Sequence, residues 1–398
     1  MFRKRAVYAL LNFITLVFAA GCAADSAWSS PTPPLDPPRL TPPVETPTLP
    51  AGATAAPADL QVDEAAPILV PTPTAPPSAQ VGEPAVAAAD PVQTPVQTFD
   101  VGNDLTIAAL RAKEIAGSDI IIEETLANGV NYAQYIASYR SEGYKINGLL
   151  TVPLGDVPAG GFPAIVFVHG YIPPEIYRTT ERYVDYVDAL ARNGFVVFKI
   201  DLRGFGNSEG EPSGAYFSPD YTVDTIAALK SLQRTDYVNS EGVGLWGHSM
   251  AGNVVLRAML VEPDVQAGVI WAGAVYSYDD MVRYAIQDPS FRRDEQSTTV
   301  RRGTILRETY GAPDTSVPFW QAVSLTENID LLEAPLQIHH ALNDNVVNVG
   351  YSQDLAAVLE EAGKSYELFT YDGGGHNIAS PYFSDAMQRT IQFFREHL

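Results

Sequence analysis

The chain has 398 residues, of which 46% are apolar and 18% charged, enough for one large globular domain with material to spare. Its single cysteine, Cys22, excludes an internal disulfide framework and a cysteine-rich metal site. A formal net charge of −22 argues against nucleic acid as a partner, because phosphate backbones are held by clustered Lys and Arg.

In chain order, Arg3-Lys4-Arg5 and the apolar run from Ala6 to Ala20 have the pattern of a signal peptide over 1–21. The run is short for a bilayer span and ends in small residues. Ala19-Ala20-Gly21-Cys22 resembles a bacterial lipobox. That resemblance implies export, lipidation at Cys22 and anchoring of the mature chain to a membrane surface. Residues 22–98 are rich in Pro, Ala and Thr, as in Pro71-Thr72-Pro73-Thr74-Ala75-Pro76-Pro77, and read as a disordered linker.

The globular part is expected over 99–398. A short helix is predicted over 104–116, then a β-rich stretch over 119–153 with turns at Gly129 and Gly143. Strands and helices then alternate. Strands are expected at 164–168, 195–200, 242–246, 265–271, 336–340 and 366–371. Helices are expected at 177–193, 221–234, 249–261, 350–362 and 381–397. Fully apolar strands separated by helices imply an α/β fold, with a mostly parallel central sheet covered on both faces. Residues 276–330 interrupt the rhythm and are expected to form a small helical cap.

In such a sheet, reactive groups collect at the carboxyl ends of the strands. Ser249, in Gly247-His248-Ser249-Met250-Ala251-Gly252, falls between a strand and a helix, where a tight turn exposes a nucleophilic hydroxyl. Such a serine needs a base. Of six histidines, His376 follows the last strand in the glycine-rich loop Gly373-Gly374-Gly375-His376. The base needs a carboxylate to fix its tautomer, and Asp344 follows the strand ending at His340. Competing acids are Asp279, Asp280 and Asp372. Backbone N–H groups of Tyr171, in His169-Gly170-Tyr171, and of Met250 would receive a developing oxyanion. The side chains of His169 and His248 are read as structural. Asp201 and Arg203, in Asp201-Leu202-Arg203-Gly204-Phe205-Gly206, are expected to pair and hold a loop. Tyr171, Tyr177, Tyr276, Tyr278, Tyr284 and Trp320 are candidates to line an apolar pocket, although core packing is the commoner fate of each.

Val168-His169-Gly170, the Asp201–Gly206 segment, Gly247-His248-Ser249-Met250 and the pair Asp344 with His376 together resemble the α/β-hydrolase superfamily. Within it, they are similar to the prolyl-oligopeptidase catalytic domain and its dienelactone-hydrolase-like relatives. Tyr139 to Leu150 is similar to the hairpin entering that domain. The resemblance spans roughly 119–398 and implies Ser249 as nucleophile, Asp344 as acid and His376 as base. Ala251 departs from the usual glycine of the serine turn, and where full-length prolyl oligopeptidases carry a large β-propeller, the N-terminal region here reads as a signal, a Pro-rich linker and a short β-rich entry. The expected chemistry is hydrolysis of an ester or peptide bond through an acyl-enzyme, with no metal or organic cofactor. A carboxylesterase, a non-catalytic surface binding lipoprotein on the same scaffold, and acyl transfer to an acceptor other than water are the alternatives.

Overall fold

The structure, a computed structural model, describes residues 103–275, 277–285 and 298–398, with backbone alone at 103 and 298–300. The expected signal peptide, Cys22, the linker and Tyr276 lie outside the described residues.

Strands β1 (Ile121–Thr125), β2 (Tyr132–Ser141) and β3 (Tyr144–Pro153) form an antiparallel entry to the sheet. Glu142 and Gly143 link β2 to β3 with φ of 49° and 88°. A two-residue hairpin whose twist matches its strands needs both centres in the left-handed region, which is why a glycine stands there. Strands β4 (Phe162–Val168), β5 (Val196–Ile200), β6 (Val238–His248), β7 (Gly268–Trp271), β8 (Leu336–Ala341) and β9 (Tyr366–Tyr371) follow. The nine strands lie in the order β1-β2-β3-β5-β4-β6-β7-β8-β9, and every pairing from β5 to β9 is parallel. From β4 the chain moves outward to β5 and then returns to place β6 on the other side. The β4/β6 border is therefore a point where strand order reverses, and a crevice opens above its carboxyl ends.

Both faces are covered, as the continuous apolar runs of β4 and β5 require. One core packs α1 (Ile107–Ala112), α3 (Asp220–Leu232), α4 (Ala251–Val261) and α8 (Gly350–Glu361) on one face. The other packs α2 (Val184–Arg192) and α9 (Phe383–His397) on the opposite face. In α9 the buried Ala386, Met387, Thr390, Ile391 and Phe394 recur at three- and four-residue spacing, which puts them on one stripe. The described parts of the expected cap hold three helices, α5 (Tyr278–Arg283), α6 (Thr298–Tyr310) and α7 (Pro318–Val323), with a turn between α6 and α7. Trp320 and Leu306 form a small separate core there with Leu105 and Val323.

Two expectations change. The helix expected from residue 177 begins only at Val184, because residues 177–179 are drawn down onto a buried carboxylate. Asp201 accepts from the Tyr177 hydroxyl at 2.7 Å and from the Thr179 hydroxyl at 2.6 Å. The expected Asp201–Arg203 pair is likewise corrected. Leu202 between them has φ 61°, and that turn sends the two side chains to different partners. Arg203 meets Asp224 at 2.7 Å, Glu142 at 2.9 Å and Asp220 at 3.3 Å, joining the β2–β3 hairpin to α3.

Candidate active site

Ser249 follows directly on β6 and precedes α4, with φ 57°. That conformation is uncommon for a side chain with a Cβ and marks a backbone held by its surroundings. Its N–H donates to the Trp271 carbonyl at 3.0 Å, and its carbonyl accepts from Gly252 and Ala274. The turn is crowded. A Cβ on Gly247 would come 2.9 Å from the Ala251 carbonyl oxygen, and one on Gly252 would come 2.8 Å from the Gly273 Cα. The close approach of this helix to the next strand end thus falls at Gly252, while Ala251 is accommodated as a buried residue.

Asp344 lies just past β8 with its side chain buried. Its Oδ1 accepts from the Val346 and Val347 N–H groups at 2.8 and 3.0 Å. Its Oδ2 lies 2.8 Å from His376 Nδ1 and 3.2 Å from His340 Nε2. Burial would raise the carboxyl pKa, but the hydrogen bonds from His340, His376 and Val346 outweigh it and hold the group well below the usual carboxylate range. A carboxylate only accepts, so His376 Nδ1 carries the hydrogen and Nε2 keeps its lone pair. That is the tautomer a general base requires.

His376 sits in the turn after β9, between Gly375 and Asn377, with 17% of its side chain exposed. Ser249, Met250, Tyr171 and His376 border one cavity of about 660 Å³ over the β4/β6 crevice. Its walls are largely apolar, with Ile172, Tyr186, Val347 and Phe383 among them. Ser249 and His376 face this cavity without a direct hydrogen bond to each other, and such contacts commonly tighten only when substrate is bound. Gly170 lies against the serine, since a Cβ there would come 3.1 Å from the Ser249 Cβ.

The family described as serine aminopeptidase, S33, matches residues 162–299, which carry β4 to α5 and the Ser249 turn. Human protein ABHD12B is 26% identical over 216 residues, covering 52% of this chain and 52% of that protein. Human dipeptidyl peptidase 8 is 24% identical over 269 residues, covering 64% of this chain and 27% of that one. The chain therefore spans about half or less of the length of these two relatives. An acetyl xylan esterase from Paenibacillus sp. R4 superposes with a TM-score of 0.55 at 17% identity, over 73% of this chain and 92% of that one. The chain has the α/β-hydrolase fold, and the match to a serine hydrolase family covers its Ser249 turn.

In this α/β-hydrolase the competing acids are engaged elsewhere or exposed. Asp280 closes a capping box with Ser277 at the start of α5, and Asp279 and Asp372 are exposed. The expectation for the aromatic lining is corrected. Tyr171 borders the cavity, but Tyr177 is buried on Asp201, and Tyr278 donates to the Trp320 carbonyl within the cap. Tyr284 packs edge-on against Tyr351. Tyr278 and Trp320 thus pack with Leu306 and Val323 inside the cap, while Tyr284 packs against α8. His169 is structural as expected: its ring stacks on Tyr177 at 4.5 Å, and burial lowers its pKa to about 4.

Three residues beside the site were not singled out from sequence. His340 shares Asp344 with His376, and its i, i+4 spacing from that acid is a signal that was present. Tyr186 donates to the Asn377 carbonyl at 2.7 Å, next to His376. Tyr183 borders the cavity and bonds to His248. Nothing local in the sequence marks either tyrosine, because both partners lie far along the chain.

Proposed function

We propose that this α/β-hydrolase cleaves peptide or amide bonds, in the manner of prolyl-oligopeptidase-like serine peptidases, through Ser249, His376 and Asp344. The observation that carries this reading is the 2.8 Å bond from His376 Nδ1 to a buried Asp344, with Ser249 on the same cavity wall. The Ser249 hydroxyl attacks the acyl carbonyl and its proton passes to His376 Nε2. The oxyanion is received by the N–H groups of Tyr171 and Met250. His376 returns the proton to the leaving group, leaving an acyl-enzyme on Ser249. Water then gives its proton to the same nitrogen, attacks the acyl carbon and releases the acid.

Carboxylesters are the second reading. The largely apolar cavity favours an uncharged acyl group of modest size, and the acetyl xylan esterase shares the fold. A panel of aminoacyl amides and p-nitrophenyl esters separates the two by kcat/KM. For location, the Cys22 motif supports a lipid-anchored, exported protein acting at a membrane surface.

One gel tests the chemistry and the location together. A fluorescent fluorophosphonate should label the wild-type chain in the membrane fraction of the cells that make it. The Ser249→Ala protein should be folded and unlabelled. Undiminished labelling of that variant would remove Ser249 from the role, and label confined to the soluble fraction would remove the anchor.

A further inference from the structure

Beside the proposed triad, one chain of hydrogen bonds links three strand-end turns. The Gly170 N–H, in the turn after β4, donates to the Tyr183 hydroxyl at 2.9 Å. The Tyr183 hydroxyl lies 2.9 Å from His248 Nδ1, and His248 Nε2 lies 2.9 Å from the His376 carbonyl. A carbonyl only accepts, so Nε2 carries the hydrogen and Nδ1 the lone pair. The direction of every bond follows: Gly170 to Tyr183, Tyr183 to His248, His248 to His376.

The pieces are held firmly. Tyr183 has φ 58° and ψ 27°, a genuine outlier for a bulky side chain, which persists where packing over-determines it. Its ring meets Phe167 edge-on at 5.4 Å and His248 at 5.6 Å. His248 directly precedes Ser249, and its ring lies 4.6 Å from that of His376. A Cβ on Gly170 would come 2.9 Å from the Tyr183 hydroxyl, so glycine is what admits this bond. Burial, with His376 next in weight, lowers the His248 pKa to about 3, which keeps the ring neutral and the relay's direction unchanged at neutral pH.

The geometry points to Tyr183 and His248 as a pair of positioning residues that set the oxyanion turn and the histidine loop against the nucleophile. This rests on the Ser249–His376–Asp344 reading above. Without the Tyr183 hydroxyl, the Gly170 N–H loses its acceptor, and the peptide that follows, which carries the Tyr171 N–H, keeps only the 2.7 Å contact of its carbonyl with His169 Nδ1 and is held at one point instead of two. His248 loses the donor that orients its ring, and with it the grip on the His376 carbonyl. Displacement of reacting groups by about 1 Å costs on the order of 100-fold in rate.

The test compares wild type, Tyr183→Phe, His248→Phe, His248→Gln and the Tyr183→Phe/His248→Phe double variant. The substrate is p-nitrophenyl acetate, the rate of fluorophosphonate labelling reads acylation, and thermal midpoints are recorded alongside. Tyr183→Phe should lower kcat and the labelling rate about 100-fold, with KM and the midpoint little changed. The double variant should be no slower than His248→Phe, because both changes break one chain. His248→Gln, which keeps an N–H toward the His376 carbonyl, should recover part of the loss. If His248→Phe does not fold, Tyr183→Phe and His248→Gln decide the matter, since the first removes one oxygen and the second keeps the donor. A Tyr183→Phe rate within twofold of wild type, or multiplicative losses in the double variant, would overturn the pairing. If wild type is unlabelled, or Ser249→Ala is labelled, the triad reading falls and the pairing with it. Labelled wild type, silent Ser249→Ala and a full-rate Tyr183→Phe refute the pairing alone.

Discussion

Replacing Asp344 by Asn changes one atom pair and reverses a hydrogen-bond direction. The side chain accepts two backbone N–H groups at Oδ1 and the His376 Nδ1–H at Oδ2, while His340 Nε2, which bonds to the Val347 carbonyl, lies 3.2 Å from the same oxygen. In the variant, Oδ1 keeps the contacts to Val346 and Val347, and those two bonds fix which way the amide points. Its NH2 therefore faces His376 Nδ1 and His340 Nε2. To pair with an N–H donor, His376 must move its hydrogen from Nδ1 to Nε2, the nitrogen proposed to take the serine proton. Loss of the base by tautomer, together with loss of the charge that steadies the imidazolium, costs about 10⁴-fold in kcat in a serine triad. That is about 5.5 kcal/mol of transition-state stabilisation. Steady-state hydrolysis of p-nitrophenyl acetate near pH 7.5 reads the loss, with circular dichroism as the check on folding. An Asn variant within tenfold of wild type would show that Asp344 does not orient the base.

Gly170→Ala inserts a methyl 2.9 Å from the Tyr183 hydroxyl and 3.1 Å from the Ser249 Cβ. Overpacking of that kind costs about 1–3 kcal/mol, so a lower urea midpoint should accompany a loss of fluorophosphonate labelling. A variant with normal labelling would show that the turn relaxes away from the serine. Acid should destabilise the fold through buried histidines. Burial lowers His169 to about 4, and His248 and His339 to about 3, from an ordinary value near 6.5. Their folded values lie below the unfolded one, so the unfolded chain binds more protons and stability falls as pH drops from about 6.5 toward 4. Each contributes up to about 1.4 kcal/mol per pH unit, and the three together up to about 4. Urea melts at pH 7, 6 and 5 check this, and an unchanged midpoint across that range contradicts it.

Strands β4, β5 and β7 were legible because each is a nearly continuous apolar run closed by a turn, and burial on both faces leaves no other use for such a run; β8 and β9 carry polar residues, and β9 is only partly buried, so they were marked chiefly by the helices that follow them. The site residues were legible from the same alternation: Ser249, Asp344 and His376 stand just past the ends of β6, β8 and β9. What escaped was the pairing of side chains across the fold. Arg203 was matched to its neighbour Asp201, but the turn at Leu202 delivers it to Asp224, 21 residues on. The segment 177–183 has helical spacing, yet a buried Asp201 outbids that local preference with two hydroxyl bonds. Tyr183 looked like one more residue of that helix. Its role depends on a φ angle and on His248, neither of which leaves a mark in local periodicity.

Leu202, Ser249 and Ala272 all have positive φ, and they follow β5, β6 and β7 at the same rim of the sheet. Each non-glycine residue in that region costs about 1–2 kcal/mol relative to an easier backbone. At Ala272 a glycine would relieve the cost, while at Leu202 it would relieve the backbone but empty a fully buried core position. At Ser249 no such exchange exists, since the side chain that makes the conformation costly is the one proposed to react. The rim is thus where this fold trades durability for chemistry, and a lineage selected for heat tolerance alone would first be expected to soften its turns there, around a serine it has to leave as it is.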